Sequence, residues 1–102
     1  MELHVENLAT AKGVIQACQL KWTNSWLFVV DAPKGSIVCG SFDIEALNAF
    51  GLPAAKIVPA PGNPAYNVGQ FLERRITHVN ALAAAAGVRP GMSVEEAAEA
   101  MS

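Results

Sequence analysis

The sequence predicts an α+β fold: a small mixed or antiparallel sheet of about four to five strands, with three to four short helices packed against it. Two observations carry this. Strand-type alternation and apolar runs fill the first half, whereas helix caps and helical stripes fill the second, with the switch just after Gly40. Strands followed by helices argue for segregated layers rather than alternating βαβ units.

Leu3 and Val5 alternate with His4 and Glu6, which predicts a short first strand. Gly13 to Trp22 is rich in apolar and β-branched residues. Within it Cys18, Leu20 and Trp22 alternate with Gln19 and Lys21, so the expected buried face is the one carrying Cys18. Thr23-Asn24-Ser25 supplies turn chemistry. The continuous apolar run Trp26 to Val30 predicts a central strand covered on both faces. Asp31-Ala32-Pro33-Lys34-Gly35 reads as a hairpin connection, and Ser36 to Cys39 as its partner strand.

Asp43 is placed to cap a helix, with Glu45 in its first turn and Gly51, Leu52 and Pro53 ending it. Lys56-Ile57-Val58 predicts another short strand, of a direction that periodicity leaves open. Pro59 to Asn67 is a long proline-rich loop. A short helix is expected from Val68 to Glu73. A second follows along the stripe Ile76, Val79, Ala83 and Ala86, ended by Gly87 with Val88 beyond it. Ser93 and Glu96 form a capping box for a last helix, Val94 to Met101, which frays unless docked.

A chain of 102 residues suits one domain, 1–102. Its apolar fraction is 52% and its charged fraction 16%, against about 25% charged on average. That excess suggests apolar surface covered by another subunit, so a homo-oligomer is expected. Net charge is −2 without a basic stripe, which argues against nucleic acid as a partner. Arg74 and Arg75 form the sole local basic pair and read as a solvated helix face. Trp26 to Val30 is too short to span a bilayer, and Glu2, His4 and Glu6 do not suit a secretory signal. The expectation is a cytoplasmic protein with two free thiols, Cys18 and Cys39, and no membrane partner. Neither metal-ligand spacing nor a phosphate-cradling glycine loop occurs, so no metal or other cofactor is expected.

Cys39 is the residue with the most chemical potential. It ends a strand, Gly40 follows, and a helix begins just beyond, a turn that can favour thiolate. Against this, the carboxylate of Asp43 at the same helix end opposes thiolate formation, and no motif places His4 or His78 beside the thiol. A buried, inert thiol is the alternative. Asp43 reads first as a cap, Asn48 as exposed one turn on, Lys56 as solvated, Cys18 as core, and Trp22 and Trp26 as core or interface anchors.

The segment Gly35-Ser36-Ile37-Val38-Cys39-Gly40-Ser41-Phe42-Asp43-Ile44, with Leu47-Asn48 one turn on, resembles the YunC-like family of small bacterial and archaeal proteins. So does Gly87-Val88-Arg89-Pro90-Gly91-Met92-Ser93. Gly51-Leu52 and Gln70-Phe71-Leu72-Glu73 align in order between them. The resemblance spans roughly Gly35 to Met101. It implies a single domain whose activity is unknown, and it singles out Cys39, Gly40, Asp43 and Asn48. Where the family usually has a Gly-Arg pair, this chain has Ala55-Lys56, and the loop from Pro59 to Asn67 is longer. Lys56 lacks the planar fork of arginine, so if that region binds an anion in relatives, the expectation here is a different ligand, or none.

Three functional readings stay open. One is a homo-oligomeric module without catalysis, ligand-binding or accessory, with Gly40, Asn48 and Lys56 as the candidate ligand-binding residues. Another is an enzyme using Cys39 as nucleophile or redox thiol with Asp43 shaping the site. The third is a partner-binding subunit that uses the Pro59–Asn67 loop.

Overall fold

A computed structural model describes residues 1–102. One six-stranded sheet runs in sequence order: β1 (Glu2–Thr10), β2 (Gly13–Trp22), β3 (Ser25–Ala32), β4 (Gly35–Cys39), β5 (Ala54–Ile57) and β6 (His78–Val79). All neighbours are antiparallel except β4 and β5, which are parallel. The helices are α1 (Ile44–Ala49), α2 (Val68–Leu72), α3 (Ala81–Ala85) and α4 (Val94–Ala100). The α+β class is as the sequence predicts, with one strand more. No helix is long and apolar enough to cross a membrane.

The extra strand comes from the segment around His78. Instead of continuing one helix from Ile76 to Ala86, the chain pairs His78 and Val79 with Lys56 and Ala55. Helix begins only at Ala81, after Asn80. Both β-branched Ile76 and Val79 are as compatible with strand as with a helical stripe. Ile76 is instead held by backbone bonds to Met92 and Gly91, which burial of its side chain accompanies.

The first strand is longer than four alternating residues suggest, because nine residues of β1 pair continuously with β2. The fifth begins at Ala54 and ends at Ile57, two residues earlier than Lys56–Val58 in start and one in end.

Both helix stops behave as the glycines foretell. Gly51 (φ 82°) donates to Asn48 O while Leu52 donates to Leu47 O. Gly87 (φ 102°) donates to Ala84 O while Val88 donates to Ala83 O. These paired bonds satisfy the last carbonyls of α1 and α3.

The main core lies on the sheet face formed by Ile15, Ala17, Phe28, Val30, Ile37, Ala55 and Ile57. Helices α2 and α4 cover it with Val68, Phe71, Val94, Ala97 and Ala98, and Ala83 of α3 joins it. This corrects the expected facing of β2. Ile15, Ala17 and Gln19 point inward, while Cys18 and Leu20 are half-buried on the other face and Trp22 is half-buried at the end of the strand. Gln19 tolerates burial because its side-chain amide donates to Tyr66 O at 3.0 Å. For the same reason Cys18 is not core.

The opposite face is only partly covered. There α1 packs Ile44 against Val38 and Ala54, and Val29, Phe42 and Leu47 pack partly buried around these three. Leu27 and Val29 therefore remain half-buried, so β3 is not covered on both faces as its apolar run suggests. The last helix is docked rather than frayed. Met101 is fully buried, and its carbonyl accepts from Lys34 N at 2.8 Å.

One buried polar residue fastens the layers. Asn80 is 1% exposed. Its Oδ1 accepts from Ala54 N and Ala83 N, and its Nδ2 donates to Ile44 O and Leu52 O, all at 2.9–3.1 Å. Every side-chain bonding position used there has a partner, which is what makes burial of an amide tolerable.

Candidate functional site

Strands β4 and β5 run parallel and end side by side at Cys39 and Ile57. Both chains then turn away from the sheet, which opens space beyond the strand ends. In open sheets with parallel strands, that is where ligands collect. Here the space is a cavity of about 590 Å³, within the usual size for small-molecule sites.

Its walls come from three places. Trp22, Trp26 and Phe28 approach from around the β2–β3 turn, Cys39 and Gly40 from the end of β4, and Pro59, Pro64 and Ala65 from the long loop. Phe28 stacks on Phe71 with centroids 4.8 Å apart and planes 14° from parallel, which fixes an aromatic wall. The turn carries local strain: Thr23 has φ 47°, in the left-handed region that β-branched residues rarely enter.

The proline-rich loop is held by four side chains, one of them Gln70, whose Oε1 accepts from Tyr66 N at 2.8 Å. Trp26 Nε1 donates to Ala65 O at 2.8 Å, Gln19 Nε2 to Tyr66 O at 3.0 Å, and Arg74 Nη1 to Asn63 O at 2.8 Å. Trp26 also packs against Tyr66 with ring centroids 5.5 Å apart. Prolines remove backbone donors, and side chains from the folded body replace the missing internal bonding.

Arg74 is the single charged residue in the cavity lining, which contains no acidic side chain. Only one of its nitrogens is committed to Asn63, so its other donors face the site or solvent. The sequence pair Arg74-Arg75 is split by the fold. Arg75 bonds to Gly91 O at 3.3 Å and lies 3.9 Å from Glu96, away from the cavity.

Cys39 is half-buried in the wall, and its Sγ accepts from Phe28 N at 3.5 Å. Gly40 lies beside it, close to Val58 and Pro59. The other residues singled out from sequence are absent from the lining. Asp43 caps α1, accepting from Glu45 N and Ala46 N at 3.1 Å. Asn48 accepts from Leu82 N at 3.0 Å, tying α1 to α3, and is half-buried rather than exposed. Lys56 is half-buried and donates to Phe42 O at 3.4 Å. His4 bonds to Glu6 at 3.0 Å and His78 to Thr77 at 2.8 Å, both exposed.

The structure thus brings Cys39 and Gly40 together and separates them from Asp43, Asn48 and Lys56, which fasten the α1 side. Sequence reasoning missed Arg74 and Asn80. Asn80 had a readable signal, an Asn directly before an alanine-rich helix. Arg74 had none, since only the loop's course places it at the cavity.

The chain has the same fold as TA1206 of Thermoplasma acidophilum, a crystallised protein of unknown function. The two share 17% identity over 99% of this chain and 94% of that one, with a TM-score of 0.82. No curated protein matches the chain. Residues 38–101 match the family model described as a domain of unknown function, DUF1805. That match runs from the end of β4 through α4, more than half of the chain, and the protein therefore belongs to the DUF1805 family.

Proposed function

We propose that this protein is a small-molecule-binding module whose cavity accepts an organic anion with an apolar, flat body. The observation that carries this reading is the lining: tryptophan, phenylalanine and proline around a space with a single charge, the guanidinium of Arg74. Apolar walls with a few placed polar groups are the usual composition of such sites, and a guanidinium matches a carboxylate. The finer YunC-like affiliation, self-association and a cytoplasmic setting belong to the same reading.

An enzyme built on Cys39 needs a base for the thiol. The polar side chains sharing the cavity are Asn24, Ser25, Ser41 and Arg74, none of which accepts a proton from a thiol near neutral pH. A docking role for Pro59–Asn67 is weakened by the anchoring of that loop as a cavity wall.

Both tryptophans of the chain line the cavity, so intrinsic fluorescence reports on it directly. Titration with phenylbutyrate should shift or quench the emission saturably. Phenylbutyramide, the same body without the charge, should bind about tenfold more weakly, as should phenylbutyrate to Arg74→Ala. A flat emission signal with both probes, together with an unchanged melting temperature, would remove the reading.

A further inference from the structure

The outer edge of β1 is long, regular and open. β1 pairs with β2 on one side, residue for residue and without a bulge, from Glu2 to Thr10. All of it is exposed except for partial cover at Leu8 and Thr10. Natural edges are normally blunted by proline, lysine, a bulge or a covering element. β1 has no proline or lysine, no bulge, and substantial packing only against β2.

Which backbone groups face outward follows from the hairpin. Thr10 and Gly13 flank a two-residue turn and end the ladder, so they form a hydrogen-bonded pair. Alternation along the ladder then directs the N–H and C=O of Glu2, His4, Glu6 and Leu8 toward β2. Those of Leu3, Val5, Asn7 and Ala9 point to the open edge.

We infer that this edge pairs antiparallel with β1 of a second copy of the chain, with Val5 opposite Val5 on a two-fold axis. Two copies then share one continuous sheet. The side chains select this register. It places Leu3 opposite Asn7 in hydrogen-bonded pairs, and His4 opposite Glu6 in the closer non-hydrogen-bonded pairs, twice by symmetry. Shifting by two residues one way sets Glu2 against Glu6 and takes His4 away from any facing carboxylate. The opposite shift sets Glu6 against Glu6. Like charges directly opposite are destabilising. The apolar side chains agree with the choice. Leu3, Leu20 and Leu27 form one row across the partly open face, and Val5, Cys18, Val29 and Val38 the next. Leu3 is 65% and Val5 46% exposed. The two-fold continues the Val5 row into the second copy.

An interface of one strand per copy is small, so association in the range of roughly 10 μM is expected. Sedimentation of the full chain across about 1–200 μM should show a monomer–dimer equilibrium centred there. Val5→Pro removes an outward N–H without touching the β1–β2 ladder and should leave a folded monomer by circular dichroism. His4→Glu should weaken the dimer several-fold, and adding Glu6→Lys should restore it. In Val5→Cys/Cys18→Ser, the two engineered thiols face each other across Cα positions about 5.5 Å apart, suited to a disulfide. Diamide should therefore give a covalent dimer, which decides the matter should Val5→Pro fail to fold. A monomer at every concentration, a Val5→Pro dimer as tight as wild type, or no covalent dimer from the cysteine variant overturns the inference.

Discussion

The indole N–H of Trp26 donates to the carbonyl of Ala65 at 2.8 Å, so a side chain near the start of β3 holds the proline-rich loop against the cavity. Trp26→Phe keeps an aromatic ring but leaves that carbonyl without its donor. Loss of such a bond costs about 1 kcal/mol. The loop should loosen, with phenylbutyrate affinity falling several-fold and hydrogen exchange rising in the segment from Asn63 to Asn67. Mass spectrometry of deuterated peptides checks both the site and the extent.

Asn80 is the converse case, a residue far from the cavity on which the whole fold depends. Asn80→Ala would leave Ala54 N, Ala83 N, Ile44 O and Leu52 O without their partner. Buried groups left unpaired cost about 1–3 kcal/mol each, partly relieved by relaxation. Denaturant titration should show a loss of about 4 kcal/mol, and Asn80→Asp should be no better, because a carboxylate cannot donate to Ile44 and Leu52.

Thr23 occupies the left-handed region at φ 47° within the β2–β3 turn. A non-glycine residue there costs about 1–2 kcal/mol, and glycine returns part of that as chain entropy. Thr23→Gly should raise unfolding stability by about 0.5–1 kcal/mol. A neutral or destabilising result in a melting experiment would mean that the threonine side chain has a compensating contact.

The capping box of α4 has a pH signature. Glu96 Oε1 accepts from Ser93 N at 3.1 Å. That backbone bond, then the Ser93 side chain, holds the Glu96 carboxyl below its ordinary value of 4.5, with Arg75 adding a smaller pull. A carboxyl lowered on folding stabilises the native state fully above pH 4.5, and the contribution disappears as pH falls through the lowered value. Glu96→Gln should therefore be less stable than wild type near neutral pH. The gap should narrow progressively as pH falls below 4.5, as read from urea midpoints at each pH.

Much of the architecture was legible because local chemistry decided it. Asp43, Gly51, Gly87 and the Ser93–Glu96 box each mark a helix end by a backbone need that tertiary packing does not override. The bounds of β2 and the turn at Pro33-Lys34 followed likewise from alternation and turn residues. What failed was facing. In β2 the alternation Cys18, Leu20, Trp22 against Gln19, Lys21 is clear, yet the core took the Gln19 side. Ile15 and Ala17 share that side, and Tyr66 satisfies the glutamine amide. The helical stripe Ile76–Ala86 failed because its spacing fits a strand, a turn and a shorter helix equally well. At the site, Cys39 and Gly40 were legible from their place at a strand end. Arg74 was not, since its position depends on how a distant loop folds back.

The proposed function requires a ligand in the cavity bounded by Cys39, Trp26 and Arg74. The two cysteines provide an internal comparison, because Cys39 lines the cavity whereas Cys18 lies on the other face of the sheet. The decisive measurement is the rate of iodoacetamide labelling at each thiol in the folded protein, with and without phenylbutyrate, read by peptide mass spectrometry. With the probe at about ten times its dissociation constant, labelling of Cys39 should slow roughly tenfold while Cys18 is unchanged. Equal rates at Cys39 with and without the probe, or equal slowing at both thiols, would contradict a ligand site at the ends of β4 and β5.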